Sequence, residues 1–408
     1  MQIAYDIVII GAGPAGLGFA ASMLDTNVNV LILERSDLED ISMPKVDGRE
    51  VALTHLSLKI LKKLGVWDLV DQTKVSPLRE AKVFDGDSAS LLNFKSDKAN
   101  IEALGYLVPN HKIRQALYNR VKDAKNITIQ TNTLADDVIQ LENSAQVVLV
   151  GGECIETKLV IAADSRFSSI RRKVGIPTLM KDFSKVMIIT KMMHEKSHEN
   201  IALECFDYGR TLALLPMIGD ASSVVLTVKT DESKKILEMN EAEFNEMITS
   251  SFKASLGEMT QSGKRHSYPL VATHAQTFIA KRFALIGDAA VGMHPVTAHG
   301  YNLGLRGQDI LATLIKEALK HGQDIGSSSL LKLYEKKHIN LTRLMFFGTN
   351  GIVALFTNDA PVIKQVRKMV LKFAENFPPI KYLISNQLTE AKSNKFTPFE
   401  KILKKLPF

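Results

Sequence analysis

The stretch YDIVIIGAGPAG, residues 5–16, decides the fold of this 408-residue chain. Its first half is a run of apolar, mostly β-branched residues, which is typical of a parallel strand buried on both faces. Its second half spaces glycines as GxGxxG: Gly11 permits a tight turn, Gly13 lets a pyrophosphate approach the backbone, and Gly16 allows close helix–strand packing. The helix that follows offers free N–H groups and a positive dipole end to phosphates. The stretch therefore predicts a dinucleotide-binding turn.

The residues after this turn complete a strand–helix–strand unit. Residues 14–24 predict a helix and residues 27–34 predict a second strand, in the order of a βαβ module. Glu34 ends that strand, where we expect it to accept hydrogen bonds from an adenosine ribose and to repel a 2′-phosphate, which favours FAD or NAD over NADP. A strand–turn–helix that binds no ligand is the alternative. The predicted contacts in this unit are Gly11, Gly13, Pro14, Ala15, Gly16, Glu34 and Arg35.

Composition and charge narrow the class of protein. With 408 residues, 45% hydrophobic and 23% charged, the chain predicts a globular protein of two domains. Its two cysteines argue against a disulfide scaffold and for a reducing cytosol, and no Cys/His cluster indicates a metal. The net charge of +7 fits anionic partners such as nucleotides or a phospholipid surface, or solubility alone; we expect no nucleic-acid partner. Residues 7–24 are uncharged, but their glycines and Pro14 predict a buried strand, turn and helix rather than a membrane span or signal peptide.

Two later segments distinguish FAD from NAD. Asp164 and Asp288 each follow a buried apolar strand, where an unpaired carboxylate is costly and needs a partner. A ribityl hydroxyl is a natural partner for Asp288; the alternative is that Asp288 caps a helix. Residues 300–302, Gly-Tyr-Asn, then precede a long helix whose first N–H groups would face the flavin ring where reduction places negative charge. These segments predict FAD.

Together these motifs resemble the flavoprotein aromatic hydroxylases of the para-hydroxybenzoate hydroxylase type, and within them the ring hydroxylases of ubiquinone biosynthesis. The resemblance covers about residues 5–350, and its most specific motif is GYNLGLR at 300–306, with support from DGR at 47–49, LGVW at 64–67 and GYLVPN at 105–110. It implies that Asp288 binds the ribityl chain and that Asp164 lies between FAD and a nicotinamide donor, NAD(P)H. The other FAD contacts that it implies are Arg49, Asn110, Arg114, Pro295, Gly300, Tyr301 and Asn302.

Three positions depart from the usual pattern of that family. The chain has Asp164-Ser165 in place of Asp-Gly, Val291 where His or Gln is common, and Ala298-His299-Gly300 in place of Gly-Gln-Gly. The first departure bears on contact with the nicotinamide. The third puts an imidazole where the flavin face is expected, so His299 is the candidate catalytic residue, with a structural role in the loop as its alternative. It also makes the chain similar to demethoxyubiquinol hydroxylases of relaxed regioselectivity. We interpret His294 as part of the loop structure.

The implied fold is a doubly wound α/β FAD-binding Rossmann-type domain, with an antiparallel β-sheet substrate domain and a helical carboxyl-terminal region. The apolar pattern agrees, since residues 186–228 predict antiparallel strands and residues 241–251 a helix. The predicted division assigns 1–75, 106–180 and 276–330 to the FAD-binding parts, 76–105 to an insertion of the substrate domain, 181–275 to the substrate domain and 331–408 to carboxyl-terminal helices.

The resemblance implies a monooxygenase. Reduced FAD and molecular oxygen would form a C4a-hydroperoxyflavin that hydroxylates the ring of a polyprenylated phenol or quinol, demethoxyubiquinol. A prenyl-chain reductase and a noncatalytic prenyl-binding carrier are the alternatives.

The carboxyl-terminal residues 391–408 combine five lysines and one acid with an apolar stripe at helical spacing: Phe399, Ile402, Leu403 and Leu406. This pattern predicts a helix that lies in a membrane interface, and the alternative is a helix docked on the protein itself or a frayed end. The expected location is cytoplasmic, peripheral on the inner membrane or in a ubiquinone-biosynthesis protein assembly.

Overall fold

The computed structural model describes residues 5–85, 91–96, 101–207, 210–295, 299–357 and 390. The helices of this part of the chain are α1 (Pro14–Ser22), α2 (Leu38–Ser42), α3 (His55–Lys63), α4 (Asn110–Val121), α5 (Ser169–Lys173), α6 (Thr230–Glu238), α7 (Glu241–Ser251), α8 (Gly300–Lys320) and α9 (Ser328–Thr357). The strands are β1 (Tyr5–Ile10), β2 (Val30–Leu33), β3 (Glu50–Leu53), β4 (Ser76–Leu78), β5 (Glu80–Asp85), β6 (Leu91–Lys95), β7 (Gly105–Pro109), β8 (Ile127–Gln130), β9 (Ala135–Gln140), β10 (Ala145–Leu149), β11 (Cys154–Ala162), β12 (Thr178–His194), β13 (Ile201–Asp207), β14 (Arg210–Pro216), β15 (Ala221–Lys229), β16 (Met259–Gln261), β17 (His266–Ala275), β18 (Ile279–Ala280), β19 (Phe283–Leu285) and β20 (Val291–Gly292).

The first sheet carries the dinucleotide-binding unit. Its strands run in the order β18-β19-β11-β1-β2-β8, and β1 pairs in parallel with both β11 and β2. The four residues that end β1 are buried, as expected for a parallel strand covered on both faces. Helices α1, α4 and α8 pack together against this sheet, while β9 and β10 extend it through an antiparallel hairpin onto β11. The carboxyl ends of β1, β11 and β19 therefore meet at one edge.

The second sheet is mainly antiparallel and follows the order β20-β17-β12-β15-β14-β13-β5-β6, with β16 on β12. Helices α6 and α7 cover one of its faces through a separate core that includes Leu214, Leu226 and Phe244. Its other face carries a smaller cluster, with Met187, Ile189 and Leu270 buried beside Tyr268. A third, small sheet, β3-β7-β4, is formed by strands that come between β2 and β8 in the chain order.

The predicted fold class is confirmed: a doubly wound α/β unit carries an antiparallel second sheet and long carboxyl-terminal helices. The strand predicted from Tyr5 and the helix predicted at 241–251 have the bounds that the structure shows. The parallel pairing of β5 with β13 supports our proposal that 76–105 is an insertion of the substrate domain. The predicted tail helix at 391–408 lies outside the described residues. Within the described part of the chain, no helix is both long and apolar enough to cross a membrane.

Candidate active site

The turn between β1 and α1 is shaped by contacts that exclude side chains. Gly11 has φ +108°, and a Cβ there would lie 2.6 Å from the carbonyl oxygen of Ala163. A Cβ on Gly16 would overlap the carbonyl oxygen of Gly11. Gly13 differs, because a Cβ there would meet no atom within 4 Å. Gly11 and Gly16 thus serve the fold, whereas the space above Gly13 is open to a ligand.

The start of α1 faces this open space with backbone donors. Gly13 is the residue before the helix and makes no side-chain capping bond, while Pro14 occupies the first helical position and has no N–H to leave unpaired. The N–H groups of Ala15 and Gly16 lie in the first turn, which has no intrahelical acceptors. These donors and the dipole of α1 form an anion-binding end suited to a pyrophosphate.

Glu34 lies beside the glycine turn, as the sequence predicted. Its Oε2 accepts a hydrogen bond from the Ala12 N–H at 2.6 Å, and its Oε1 accepts one from the Ser36 N–H at 2.9 Å. Each carboxylate oxygen has a further lone pair for a ribose hydroxyl. The neighbouring Arg35 is exposed.

Asp47 ties the loop before β3 to both larger domains. Its Oδ2 accepts hydrogen bonds from Arg49 Nη2 at 2.6 Å and from Asn110 Nδ2 at 2.7 Å, and its carbonyl oxygen accepts one from the Tyr268 hydroxyl at 2.7 Å. The Arg49 guanidinium stands 5.3 Å from the centre of the Tyr268 ring. Burial opposes ionisation of Asp47, but the Arg49 charge and these hydrogen bonds outweigh it and lower its pKa. The predicted FAD contacts Arg49 and Asn110 are therefore held by one carboxylate.

Two other side chains of this region differ in their surroundings. Burial, together with the Asp47 charge, raises the pKa of Glu50 to about 8, although Lys191 opposes the shift. Arg114, a predicted FAD contact, donates to the carbonyl oxygen of Asp40 at 3.3 Å, so its guanidinium reaches α2.

An ion pair joins the ends of β11 and β19. Arg166 Nη2 lies 2.9 Å from Asp288 Oδ2, and Arg166 Nη1 donates to the carbonyl oxygen of Val271 at 2.8 Å. Asp288 lies inside the short 3-10 turn Gly287–Ala289, which has no side-chain cap, so the capping alternative for Asp288 is wrong. Its side chain is 41% exposed, which leaves its carboxylate accessible to a ribityl hydroxyl.

Asp164 lies against the glycine turn. Its Cα would be 3.2 Å from a Cβ placed on Gly11. Burial raises the pKa of Asp164, while hydrogen bonds from Ser168 and backbone groups act in the opposite direction. Among the described residues, its buried Oδ1 has no hydrogen-bond partner. The next residue, Ser165, has φ +114°, a conformation that favours the glycine usual at this position.

The start of α8 meets the same edge through glycines. Gly287 has φ +58°, and a Cβ there would lie 2.5 Å from the Cβ of Ala15. A Cβ on Gly304 would lie 3.3 Å from the Cα of Gly287. The close approach of α1, the 3-10 turn and α8 thus depends on small residues at three positions.

The predicted flavin-side residues of this helix have different environments. His299 is 4% exposed and immediately precedes α8. Asn302 is buried, and its amide accepts from the Thr54 N–H at 3.1 Å and donates to the carbonyl oxygen of Ala52 at 2.8 Å. This amide therefore joins α8 to β3 and α3.

Three other predicted residues surround this loop. The buried Tyr301 hydroxyl finds no hydrogen-bond partner in the described chain, and burial raises its pKa. Pro295 is exposed, next to residues outside the description. His294 packs edge-on against Phe183 with ring centres 4.7 Å apart. Burial, with Lys185 and Arg166 nearby, lowers the His294 pKa to about 4, so this imidazole is neutral at neutral pH.

The arrangement fits FAD. The open space above Gly13 accommodates a pyrophosphate at the start of α1, Glu34 lies where the ribose is expected, and the accessible Asp288 carboxylate lies at the neighbouring strand end. The buried Oδ1 of Asp164, without a partner among the described residues, is a further acceptor at the same edge. In the described chain no group of three His, Cys, Asp or Glu side chains is placed to hold a metal ion.

Several charged residues of this region were not predicted from the sequence. Arg166 pairs with Asp288, and Arg171, which is 2% exposed, donates to the carbonyl oxygen of Ala289 at 2.7 Å. The position of Arg166 and Arg171 directly after β11 could have indicated their roles, because the loops that follow neighbouring parallel strands lie close together. Glu50 had no such signal, since its raised pKa depends on burial between elements distant in sequence.

Comparison with known proteins adds a family to this geometry. Residues 4–345 match the family model described as FAD binding domain. A ubiquinone hydroxylase of Neisseria meningitidis, UbiM, is 45% identical over 393 residues, which cover 95% of this chain and 85% of that protein. The 3-demethoxyubiquinol 3-hydroxylase of Escherichia coli is 26% identical, with 91% of this chain and 94% of that protein covered.

Solved structures show the same fold at lower identity. The p-nitrophenol 4-monooxygenase PnpA of Pseudomonas putida has a TM-score of 0.76 at 18% identity, with 95% of this chain and 99% of that chain covered. PqsL of Pseudomonas aeruginosa, described as a probable FAD-dependent monooxygenase, has a TM-score of 0.75 at 16% identity and covers 90% of this chain and 99% of its own.

Proposed function

Since the chain belongs to the FAD binding domain family, we propose that it is an FAD-dependent monooxygenase that hydroxylates the ring of a polyprenylated ubiquinone precursor. The observation that carries this proposal is the 45% identity to a ubiquinone hydroxylase across 95% of the chain. The proposed substrate is demethoxyubiquinol, in line with the activity named for the Escherichia coli relative. Molecular oxygen is the co-substrate, and NAD(P)H is the proposed electron donor.

FAD, when bound, supplies the oxygen-activating chemistry. The chain would hold its pyrophosphate at the start of α1, its ribose at Glu34 and its ribityl chain at Asp288, while the start of α8 would direct N–H groups to the flavin ring. His299 would face that ring as the catalytic candidate, and Asp164 would lie towards the nicotinamide. The remaining work of the protein is to orient the ring and exclude water.

The two alternatives have less support. The relatives are named hydroxylases, which does not favour a prenyl-chain reductase. A carrier needs no flavin, whereas the open space at Gly13 and the acceptors Glu34 and Asp288 support the proposal of a dinucleotide site.

Membrane association belongs to the same proposal. A polyprenyl substrate resides in a membrane or on a lipid-binding partner, so we propose that residues 391–408 recruit a cytoplasmic enzyme to the inner membrane or to an assembly there. Deletion of 391–408 should abolish cosedimentation with anionic vesicles and leave activity on a short-chain substrate. If the deletion variant still binds the vesicles as the parent does, residues 391–408 do not recruit the protein to the membrane.

The decisive experiment measures oxygen uptake and product together. The purified protein should contain one FAD per chain and consume oxygen with NAD(P)H and a short-prenyl methoxyquinol, giving a product one oxygen heavier by mass spectrometry. A strain that lacks the protein should accumulate the polyprenylated precursor that has not been hydroxylated. A colourless protein that stays without FAD in excess cofactor would refute the assignment, and substrate reduction without oxygen uptake would favour the reductase.

A further inference from the structure

One row of side chains crosses the second sheet and contains a single acid. Register pairs place Leu92 opposite Val83, Val83 opposite Glu204, Glu204 opposite Ala213, Ala213 opposite Val225, Val225 opposite Ile189, and Ile189 opposite His266. Paired residues in adjacent strands point to the same face of a sheet. We call these seven residues the Glu204 row.

The Glu204 row lies on the face opposite helices α6 and α7. The neighbours of Glu204 along β13, Leu203 and Cys205, pack into the core beneath those helices, so alternation turns Glu204 away from them. At the far end of the row, a Cβ on Gly48 would lie 2.9 Å from the His266 ring and 3.5 Å from Ile189. The His266 end of the row therefore lies beside the loop that carries Arg49, and the row extends from there across the sheet to Glu204 and β6.

The surroundings of Glu204 are apolar. Its cross-strand neighbours are Val83 and Ala213, and Phe206, two residues along β13, packs with Phe94 and with Leu355 of α9. Ala213 and Val225 are only partly buried, so this part of the face retains accessible space.

Glu204 has no hydrogen bond or ion pair to any residue that the structure describes. Burial alone raises its pKa to about 8. None of the charged groups on the same face or in the facing segment is a cause of this shift; they include Lys185, Lys191, Lys229, His266, Asp47, Arg49 and Glu50. Because the Glu204 side chain is only partly buried, a ligand can reach its carboxyl group, and a ligand hydroxyl would supply the partner that the described residues do not.

We propose that Glu204 is the acid–base residue for the phenolic hydroxyl of the ring substrate, which it orients and deprotonates. This inference rests on the proposed function and deepens it. The apolar neighbours in the Glu204 row would contact the ring and its substituents, and the carboxylate would accept the hydroxyl hydrogen bond. The hydroxyl thereby fixes which ring carbon is presented for oxygen transfer.

The proton and electrons of this step balance. The O–H bond of the phenol breaks, its electron pair stays on the oxygen, and the proton moves to the Glu204 carboxylate. The electron-rich ring would then form a bond to one oxygen atom of the O2 that reduced FAD activates in the proposed function, while the O–O bond breaks and the other oxygen atom leaves as water, with the two electrons drawn from NAD(P)H. Rearomatisation releases the ring hydrogen to water as a proton, and Glu204 returns its proton to the phenolic oxygen. A base that ionises near pH 8 is suited to such a transfer near neutral pH.

The test uses the FAD-loaded protein and two probes, 2-methoxy-6-prenylphenol and its methyl ether. Binding to the oxidised enzyme is measured from the change in flavin absorbance between pH 6 and 9, without turnover. The parent should prefer the phenol by about tenfold above pH 8, where Glu204 is a carboxylate, and the preference should decline towards pH 6. Glu204→Gln should abolish both the preference and its pH dependence.

The matched control is Glu80→Gln, on the adjacent strand β5. Glu80 already pairs with Lys82 and Lys95, at 3.5 and 3.4 Å, and should behave as the parent. If Glu204→Gln fails to bind FAD, Glu204→Asp decides, since it keeps a carboxyl and should retain a weaker pH-dependent preference. A Glu204→Gln protein that keeps the phenol preference and its pH dependence overturns the role of Glu204.

Turnover separates this inference from the proposed function. If the parent hydroxylates its substrate normally and Glu204→Gln has the same pH profile as the parent, the proposed role of Glu204 is wrong and the proposed function stands. A parent that shows the phenol preference but forms no hydroxylated product would refute the function, while Glu204 keeps its role in binding phenols.

Discussion

The glycine turn that follows β1 and the Glu204 row on the second sheet are built in opposite ways. The turn is defined by backbone atoms that approach where side chains are missing: Gly11 and Gly16 are closed to a Cβ, and Gly13 is open to a ligand. The Glu204 row is defined by side chains, and its one acid is surrounded by apolar neighbours. The space available for a side chain therefore restricts substitutions in the glycine turn, whereas the ionisation of one carboxyl group restricts substitutions in the Glu204 row.

This difference predicts different responses to substitution. A single methyl group added at Gly11 or Gly16 meets backbone atoms that cannot move independently. Replacement of Glu204 by the isosteric glutamine keeps the packing of the Glu204 row and removes only the ionisable group. The variants below test this contrast, in order of decreasing effect.

The largest effect is expected from a matched pair of glycine variants. Gly16→Ala should prevent stable folding, because the new Cβ overlaps the Gly11 carbonyl oxygen. Gly13→Ala should fold, since a Cβ there meets no protein atom, yet weaken FAD at least about a hundredfold, or about 2.7 kcal/mol, by occupying the approach of the pyrophosphate. Circular dichroism and FAD titration distinguish the two. If Gly13→Ala binds FAD as tightly as the parent, the pyrophosphate does not lie at this turn.

Glu34→Ala should weaken FAD by about 1.5–3 kcal/mol, the usual contribution of a charge-assisted hydrogen bond. The carboxylate also receives the Ala12 and Ser36 N–H groups, so the variant should lose some thermal stability without FAD. Glu39→Ala, on the exposed helix α2, is the control and should change neither quantity. An unchanged FAD affinity for Glu34→Ala would show that Glu34 does not bind the ribose.

The sequence revealed the glycine turn because its constraints are local. Gly11, Gly13 and Gly16 lie within six residues, and the strand and helix around them have their own apolar patterns. The acids at 164 and 288 were also recognisable, since each follows a strand of that sheet. Arg166, the partner of Asp288, was not identified, because this pairing spans 122 residues.

The sequence did not reveal Glu204 for a related reason. Its row joins residues from seven strands, and each register is set by pairings between distant segments. Residues 201–206 read only as a strand, with no local sign of which face is covered by helices. The three-stranded sheet of β3, β7 and β4 was missed in the same way, because its strands are three to five residues long.

The pH dependence of stability tests the cost of ionising two carboxyl groups, Glu204 in the Glu204 row and Glu50 in β3. The folded-state pKa values of Glu50 and Glu204 are raised to about 8 from 4.5, so their contribution to stability is present below pH 4.5 and is lost as pH rises to 8. The double variant Glu50→Gln, Glu204→Gln should be more stable than the parent at pH 8 by about 2 kcal/mol, after discounting for partial exposure. Urea unfolding at pH 6 and 8 measures this, and equal slopes with pH would contradict it.

His299→Gln should keep FAD and change coupling, by about fivefold in the ratio of oxygen consumed to product formed, or about 1 kcal/mol. The physical reason is that His299 is buried immediately before α8, whose first N–H groups we propose to face the flavin ring. His294→Gln is the control on the same loop, where the imidazole packs against Phe183. Identical coupling and product distribution for His299→Gln and the parent between pH 6 and 8 would leave the imidazole with a structural role.

The smallest effect is expected at Ser165, where the side chain is a cost to the turn itself. Its φ of +114° lies outside the left-handed helical region that non-glycine residues tolerate, so Ser165→Gly should relieve strain. The greater freedom of glycine in the unfolded chain offsets part of the gain, which leaves about 0.5–1 kcal/mol of added stability. Ser184→Gly is the matched control, because Ser184 is exposed at φ +51°, where serine is strained less. Urea unfolding should rank Ser165→Gly above the parent and Ser184→Gly; a loss of stability at Ser165 would mean that the serine hydroxyl holds this turn, and that side chains as well as backbone define the cofactor edge.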